Sequence, residues 1–153
     1  MFVRALFAFL VLPGTVAFVL PAVWLWRAED TRLEHPLGLA AAAAGAAGLL
    51  WCVRDFYVRG KGTLAPWSPP RHLVVAGLFR YSRNPMYVGV LVILLGWAAA
   101  FASRGLLAYA ALIAVAFHLR VVYGEEPWLA RTHGAAWQAY AARVPRWFRL
   151  RPR

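Results

Sequence analysis

Two short stretches hold the residues that could do chemistry. The first is Gly77-Leu78-Phe79-Arg80-Tyr81-Ser82-Arg83-Asn84-Pro85-Met86-Tyr87, where arginines, tyrosines and a proline mark the join between a basic loop and an apolar run. The second is Arg120 with Glu125 and Glu126, at the far end of the next apolar run. Charged groups at membrane depth are costly and usually face a partner in the protein interior, so Arg120 and the paired acids are read as one patch. The competing assignment has Arg120 snorkelling to headgroups and the acids merely capping a helix. Brought together, the two stretches would form a pocket with a cationic and aromatic rim, two carboxylates and an opening toward lipid. Such a pocket suits a reaction joining a polar, water-soluble donor to a lipophilic acceptor.

The elements that must position these groups follow from local chemistry. Pro85 has no N–H to donate and disfavours helix at Asn84, so Arg83-Asn84-Pro85 cannot sit mid-helix. It can open one, with Asn84 as N-cap and Pro85 at the first helical position. The run from Met86 to Ala102 carries no charge. The chain of 153 residues is 62% hydrophobic and only 15% charged. Soluble domains carry about 25% charged residues. The apolar excess is gathered into runs near the ~20 residues that cross a bilayer. The fold expected is therefore all-α: one integral membrane domain, 1–153, of about four transmembrane helices (about 5–26, 36–53, 86–102 and 106–123) and a C-terminal amphipathic helix. The start of the chain reads as a retained first span, kinked by Pro13 and Pro21, and not as a cleaved signal. Small residues from Ala40 to Ala47, with Gly45 and Gly48, permit close helix contact. Ser103-Arg104-Gly105 reads as a tight turn, and His72 to Phe79 as a short strand or an in-plane helical turn.

Charge sets the expected topology. The net charge of +11 points to anionic lipid headgroups and not, by itself, to nucleic acid. Arg4, the loop from Arg54 to Arg83 and the arginine-rich tail should face the cytoplasm, with Arg27–His35 and Ser103–Gly105 outside. The rim and the tail then share the cytoplasmic face. Glu125-Glu126-Pro127 is read as opening the tail helix, in which Leu129, His133, Trp137, Tyr140 and Val144 form one stripe, ended by Pro145. Arg146-Trp147-Phe148-Arg149 reads as an interfacial anchor. Cys52, the single cysteine, reads as a buried inert thiol. His35, His72, His118 and His133 lack the spacing of a metal set, and His118 reads as a satisfied buried histidine. No nucleophilic triad, phosphate-binding glycine loop or dinucleotide fingerprint is present.

Several blocks resemble the isoprenylcysteine carboxyl methyltransferase family and its phospholipid methyltransferase relatives. They are Gly60-Lys61-Gly62-Thr63-Leu64-Ala65-Pro66, Pro70 to Val74, Gly77 to Tyr81, Arg83-Asn84-Pro85-Met86-Tyr87, and a closing block of Glu125-Glu126, Leu129, His133-Gly134, Trp137, Tyr140 and Val144-Pro145-Arg146. The resemblance runs from about Gly60 to Phe148. Here Asn84 stands where His is commoner, Phe79 where Tyr is frequent, and His133 and Trp137 where Phe and Tyr are usual. Arg120 lies about a residue off the expected spacing.

The resemblance implies an integral membrane methyltransferase using S-adenosylmethionine without a dinucleotide-binding domain. By position, Leu78, Tyr81, Arg83, Asn84, Pro85 and Tyr87 would line the cofactor, and Trp137 and Tyr140 would cover it. Glu125 or Glu126 would hold its ribose or amino group or sit by the acceptor, and Arg120 would orient the acceptor. The acceptor would be a lipophilic small molecule or lipid: an isoprenylcysteine-like carboxylate, a phospholipid amine or another small lipid. The alternatives are an NADPH-dependent membrane reductase related to sterol reductases, and a non-catalytic lipid-binding membrane protein. The shortness of the chain argues against the first, and the presence of Arg120 and both glutamates argues against the second.

Overall fold

The computed structural model describes residues 10–28, 32–60 and 72–148. Among these residues every regular element is helical. Helix α1 begins as a wide-wound stretch, Leu10–Val19, and continues as Leu20–Arg27. Helix α2 is Pro36–Gly60. A single 3₁₀ turn, Gly77–Arg80, leads to α3, Pro85–Ala100. Helix α4, Arg104–Arg120, passes through a second wide-wound stretch, Val121–Glu125, into α5, Glu126–Arg143. Two helical stretches, Pro36–Gly60 and the continuous Arg104–Arg143, are long and apolar enough to cross a membrane, and α3 is a shorter apolar helix. Leu37, Leu112, Val115 and Leu119 are exposed on the outside. That distribution belongs to a helical membrane bundle, whose solvent on the outside is hydrocarbon.

The tightest seam joins α2 and α3, which run antiparallel. A Cβ added to Gly96 would come within 2.6 Å of Ala42 N, and one added to Gly45 within 2.9 Å of Gly89 O. The backbones touch here because no side chains intervene, the usual means of helix association where hydrophobic driving force is absent. The small-residue run thus packs as expected, although Gly48 lies off the seam and Gly38 lies on it. The N–H groups of Glu34 and His35 both donate to Ala100 O, at 2.9 and 3.1 Å, closing the C-terminus of α3.

Proline accounts for how α1 docks. Pro21 has no N–H, so it leaves unpaired the carbonyl four residues back, Ala17, and in a wide-wound helix the one five back, Val16. Trp97 Nε1 donates to Ala17 O at 3.1 Å, and Tyr109 Oη donates to Val16 O at 3.2 Å. Side chains of α3 and α4 therefore supply what the proline removes, as an apolar surrounding requires.

Several boundaries differ from the sequence reading. Helix α2 runs seven residues past Val53 to Gly60, because Arg54, Asp55 and Arg59 sit on helix and not in loop. The residues expected as spans at 5–9 and as loop at 61–71 lie outside the described set. Ser103-Arg104-Gly105 is no tight turn: Ser103 caps α4, its Oγ accepting from Leu106 N at 3.3 Å, and the chain reverses at Phe101–Ala102 with Ala102 at φ 47°. Residues 73–75 form no strand; a single helical turn, Gly77–Arg80, is what forms. The tail helix does not open afresh at Glu125, which has helical angles of φ −74° and ψ −47°. The wide turn at Val121–Glu125 lets the helix continue through Pro127, whose ring would otherwise press on the carbonyl of Tyr123.

Candidate functional site

Asn84 does occupy the N-cap of α3, with Pro85 buried in the first turn, but its side chain caps nothing. Asn84 Nδ2 donates instead to Arg146 O at 2.9 Å, and Ser82 Oγ donates to the same carbonyl at 3.3 Å. Arg83 N donates to Pro145 O at 2.9 Å. The loop before α3 is therefore sewn to the segment after α5. From the tail helix, buried Tyr140 reaches back to donate from Oη to Phe79 O at 2.7 Å. The final stretch can bend onto the rim because the helix breaks at Gly134, at φ 49° and ψ −121°, a conformation open to glycine and costly for other residues. Trp137, Tyr140 and Val144 form a buried cluster there, with Leu73, Leu129 and Ala141 against it, so the expected stripe faces the protein.

Two charged groups result. In the first, Tyr87 Oη donates to Glu125, and Arg120 Nε donates to Glu125 Oε1 at 2.9 Å and to Tyr87 Oη at 3.0 Å. The Tyr87 ring lies 4.3 Å from that of Phe117. Arg120 and Glu125 are five residues apart, a spacing that faces away in an α-helix but comes together across a wide turn. In the second group, Glu126 Oε1 meets Arg83 Nη1 at 3.0 Å. Arg146 donates to both Glu126 oxygens, at 2.8 and 2.9 Å, in a bidentate pair. The Arg83 guanidinium also lies 5.3 Å from the centre of the Trp137 ring, a cation–π distance.

The electrostatics follow from burial and partners. Burial opposes the charged form of Glu126, but the hydrogen bonds from Arg146 and the charges of Arg83, Arg146 and His118 outweigh it and hold its pKa below the ordinary value. Burial lowers the pKa of Arg83, and Glu126 counters this in part. Burial raises the phenol of Tyr140, which stays protonated and able to donate.

The structure therefore gathers Arg83, Asn84, Pro85, Tyr87, Arg120, Glu125, Glu126, Trp137 and Tyr140 into one region. Leu78 packs in the apolar cluster that Val74 and Phe79 form with Cys52 of α2, and Tyr81 is half-buried. Arg146 corrects the sequence reading: it is half-buried on Glu126, not an interfacial anchor. The signal was Pro145, which ends the helix and turns the chain back over the rim. His118 is exposed, with its ring 6.0 Å from Trp147, and is not a buried histidine. Cys52 is fully buried, as expected. An apolar groove of about 350 Å³ between α2 and α3, lined by Gly38, Ala41, Gly96 and Ala99, lies at the opposite end of these helices, away from every charged group just described.

Two opposite-charge groups thus close over the mouth of α3 in a helical membrane bundle. The phospholipid methyltransferase family model matches residues 34–136, well over half of the chain, and the protein belongs to that family. No curated protein and no solved structure matches it. The match includes both charged groups up to α5 but stops before Trp137, Tyr140 and Arg146.

Proposed function

We propose that the protein transfers a methyl group from S-adenosylmethionine to a lipophilic acceptor at the cytoplasmic face of the membrane, as a multi-pass enzyme. The observation that carries this reading is the contact between Arg83–Tyr87 and the paired glutamates, which joins separate motifs of a methyltransferase family into one site. The residues fit the donor by chemistry. Arg83 Nε is buried without a hydrogen-bond partner among the described residues, a donor left over for an anionic group. Carboxylates and aromatic faces suit a sulfonium, an ammonium and sugar hydroxyls.

S-adenosylmethionine supplies an activated methyl on sulfur, moved by in-line displacement to an oxygen or nitrogen of the acceptor. The protein's task is to align and to exclude water. Arg83, Asn84, Pro85 and Tyr87 would hold the donor, with Leu78 and Tyr81 in the supporting turn and Trp137 and Tyr140 as cover. Glu125 would bind the donor's hydroxyl or amino groups or face the acceptor, while Glu126 fixes Arg83. Arg120, with its side chain 57% exposed and its hydrogen bonds made through Nε, presents its outer nitrogens to a carboxylate or phosphate on the acceptor. A carboxylate acceptor needs no base, whereas a phospholipid amine must lose a proton.

Calorimetry on protein in detergent should show binding of S-adenosylmethionine, weakened by Tyr87→Ala and by Pro85→Ala. Radiolabelled methyl transfer to extracted lipids and to prenylated thiols should label one class. Affinity for NADPH with none for the methyl donor would overturn the reading in favour of a reductase.

A further inference from the structure

Asp55 takes part in neither charged group. It is nevertheless one of two polar side chains buried in the core among the described residues, at 2% exposure, the other being Ser82. A buried carboxylate is costly unless it is partnered. Its Oδ1 faces Arg54 Nη1 at 3.4 Å and Arg59 Nε at 3.6 Å, both loose pairs with mostly exposed arginines. Its Oδ2 points elsewhere: a Cβ added to Gly77 would collide with it, and the same Cβ would lie 3.2 Å from Trp51 Nε1. Gly77 opens the 3₁₀ turn at φ 58°, so the turn starts pressed against this carboxylate. At the next residue of α2, Phe56 stacks on Phe79 with ring centres 5.9 Å apart. Tyr140 Oη donates to Phe79 O from α5.

We infer that Asp55 is a positioning residue: its carboxylate seats Gly77 and thereby sets the turn Gly77–Arg80 that delivers Arg83–Tyr87 to the glutamates. Gly77 is needed both for its positive φ and because only a hydrogen fits against Oδ2. Helix α2 thus acts on the site through the turn, without touching the charged groups. Moving the turn by an ångström is enough to disturb a site whose parts must align, since such misplacement can cost about 10²-fold.

The test uses the full chain in detergent and has two arms. In the first, trypsin cleavage after Arg80, within the turn, is compared with cleavage after exposed Arg131 on α5. Asp55→Ala should speed the first at least about tenfold and leave the second unchanged, and Asp55→Asn, which keeps the shape, should recover most of the protection. Equal acceleration at both sites, or none after Arg80, overturns the inference. In the second arm, which rests on the methyltransferase reading, Asp55→Ala should weaken S-adenosylmethionine binding at least about tenfold, again restored by Asn. Wild-type protein that binds no methyl donor would refute that reading while the cleavage arm still decides the role of Asp55. Should Asp55→Ala not fold, Gly77→Ala forces the same displacement, and unchanged cleavage after Arg80 in that variant also overturns the inference. Asp55→Ala combined with Gly77→Ala should be less than additive, because both act through one contact.

Discussion

Glu125 and Glu126 are neighbours with different partners and different exposure, and their variants should separate. Glu125 pairs with Arg120, whose side chain is 57% exposed, so Glu125→Gln should change thermal stability by under about 1 kcal/mol. If Glu125 serves the reaction, the same variant should cut turnover at least about 10²-fold. Glu126 is enclosed by Arg83 and Arg146 at 13% and 34% exposure, and Glu126→Gln leaves two cations without their acid. It should lower both turnover and folding stability, the latter by roughly 1–3 kcal/mol. Arg120→Lys keeps charge but loses the planar fork, and should fail in turnover with little loss of stability. Steady-state methyl transfer beside thermal unfolding reads all three. Acid should show the same asymmetry. Because the Glu126 pKa is lowered on folding, its stabilisation is present above the unfolded value, about 4.3, and is lost as pH falls through the folded one. Unfolding midpoints taken from pH 7 to 3 should fall more steeply in wild type than in Glu126→Gln.

At the scale of elements, the contacts that matter are those a larger side chain would break. Gly96→Ala must push α3 away from Ala42 backbone, and overpacking of this kind should cost about 1–3 kcal/mol in detergent unfolding. Gly134 differs: nothing lies within 4 Å of an added Cβ, so the penalty of Gly134→Ala comes from backbone alone, about 1–3 kcal/mol. That variant should also release Trp137 and Tyr140 from the rim, seen as weaker donor binding, whereas Gly124→Ala, in equally open space without positive φ, should do neither. The wide turn at Val121–Glu125 has the opposite character. It stabilises little by itself, but it sets the direction of every residue after it.

For the whole molecule, the shared site requires that the mouth of α3 and the end of α4 lie on one membrane face. Reporter fusions at Ala65 and at the C-terminus should both report cytoplasm, and a fusion at Asp30 the outside, as the distribution of arginine demands. Opposite locations for Ala65 and the C-terminus would break the proposed topology. The antiparallel seam of α2 and α3 satisfies this arrangement, and the bend at Gly134 keeps the tail beside the rim.

What the sequence determined by itself was whatever depends on local chemistry and composition. Uncharged runs require helices in a membrane, Pro85 and Asn84 mark where α3 starts, small residues mark the α2 seam, and period-3.6 spacing marks the tail stripe. It also marked Arg83, Tyr87, Arg120 and the paired glutamates, because charge beside an apolar run is rarely idle. The tertiary structure alone decided who pairs with whom. The Arg120–Glu125 pair depends on a wide turn that α-helical periodicity does not anticipate. Arg146 returns to Glu126 from twenty residues away only because Gly134 and Pro145 both redirect the chain. Asp55, on the last seven residues of a helix that reads as loop from Arg54 onward, becomes buried only when Gly77 closes over it. Pairing of this kind is a matter of distance in space between segments, and a one-residue change in helical winding rotates a side chain from one partner to another.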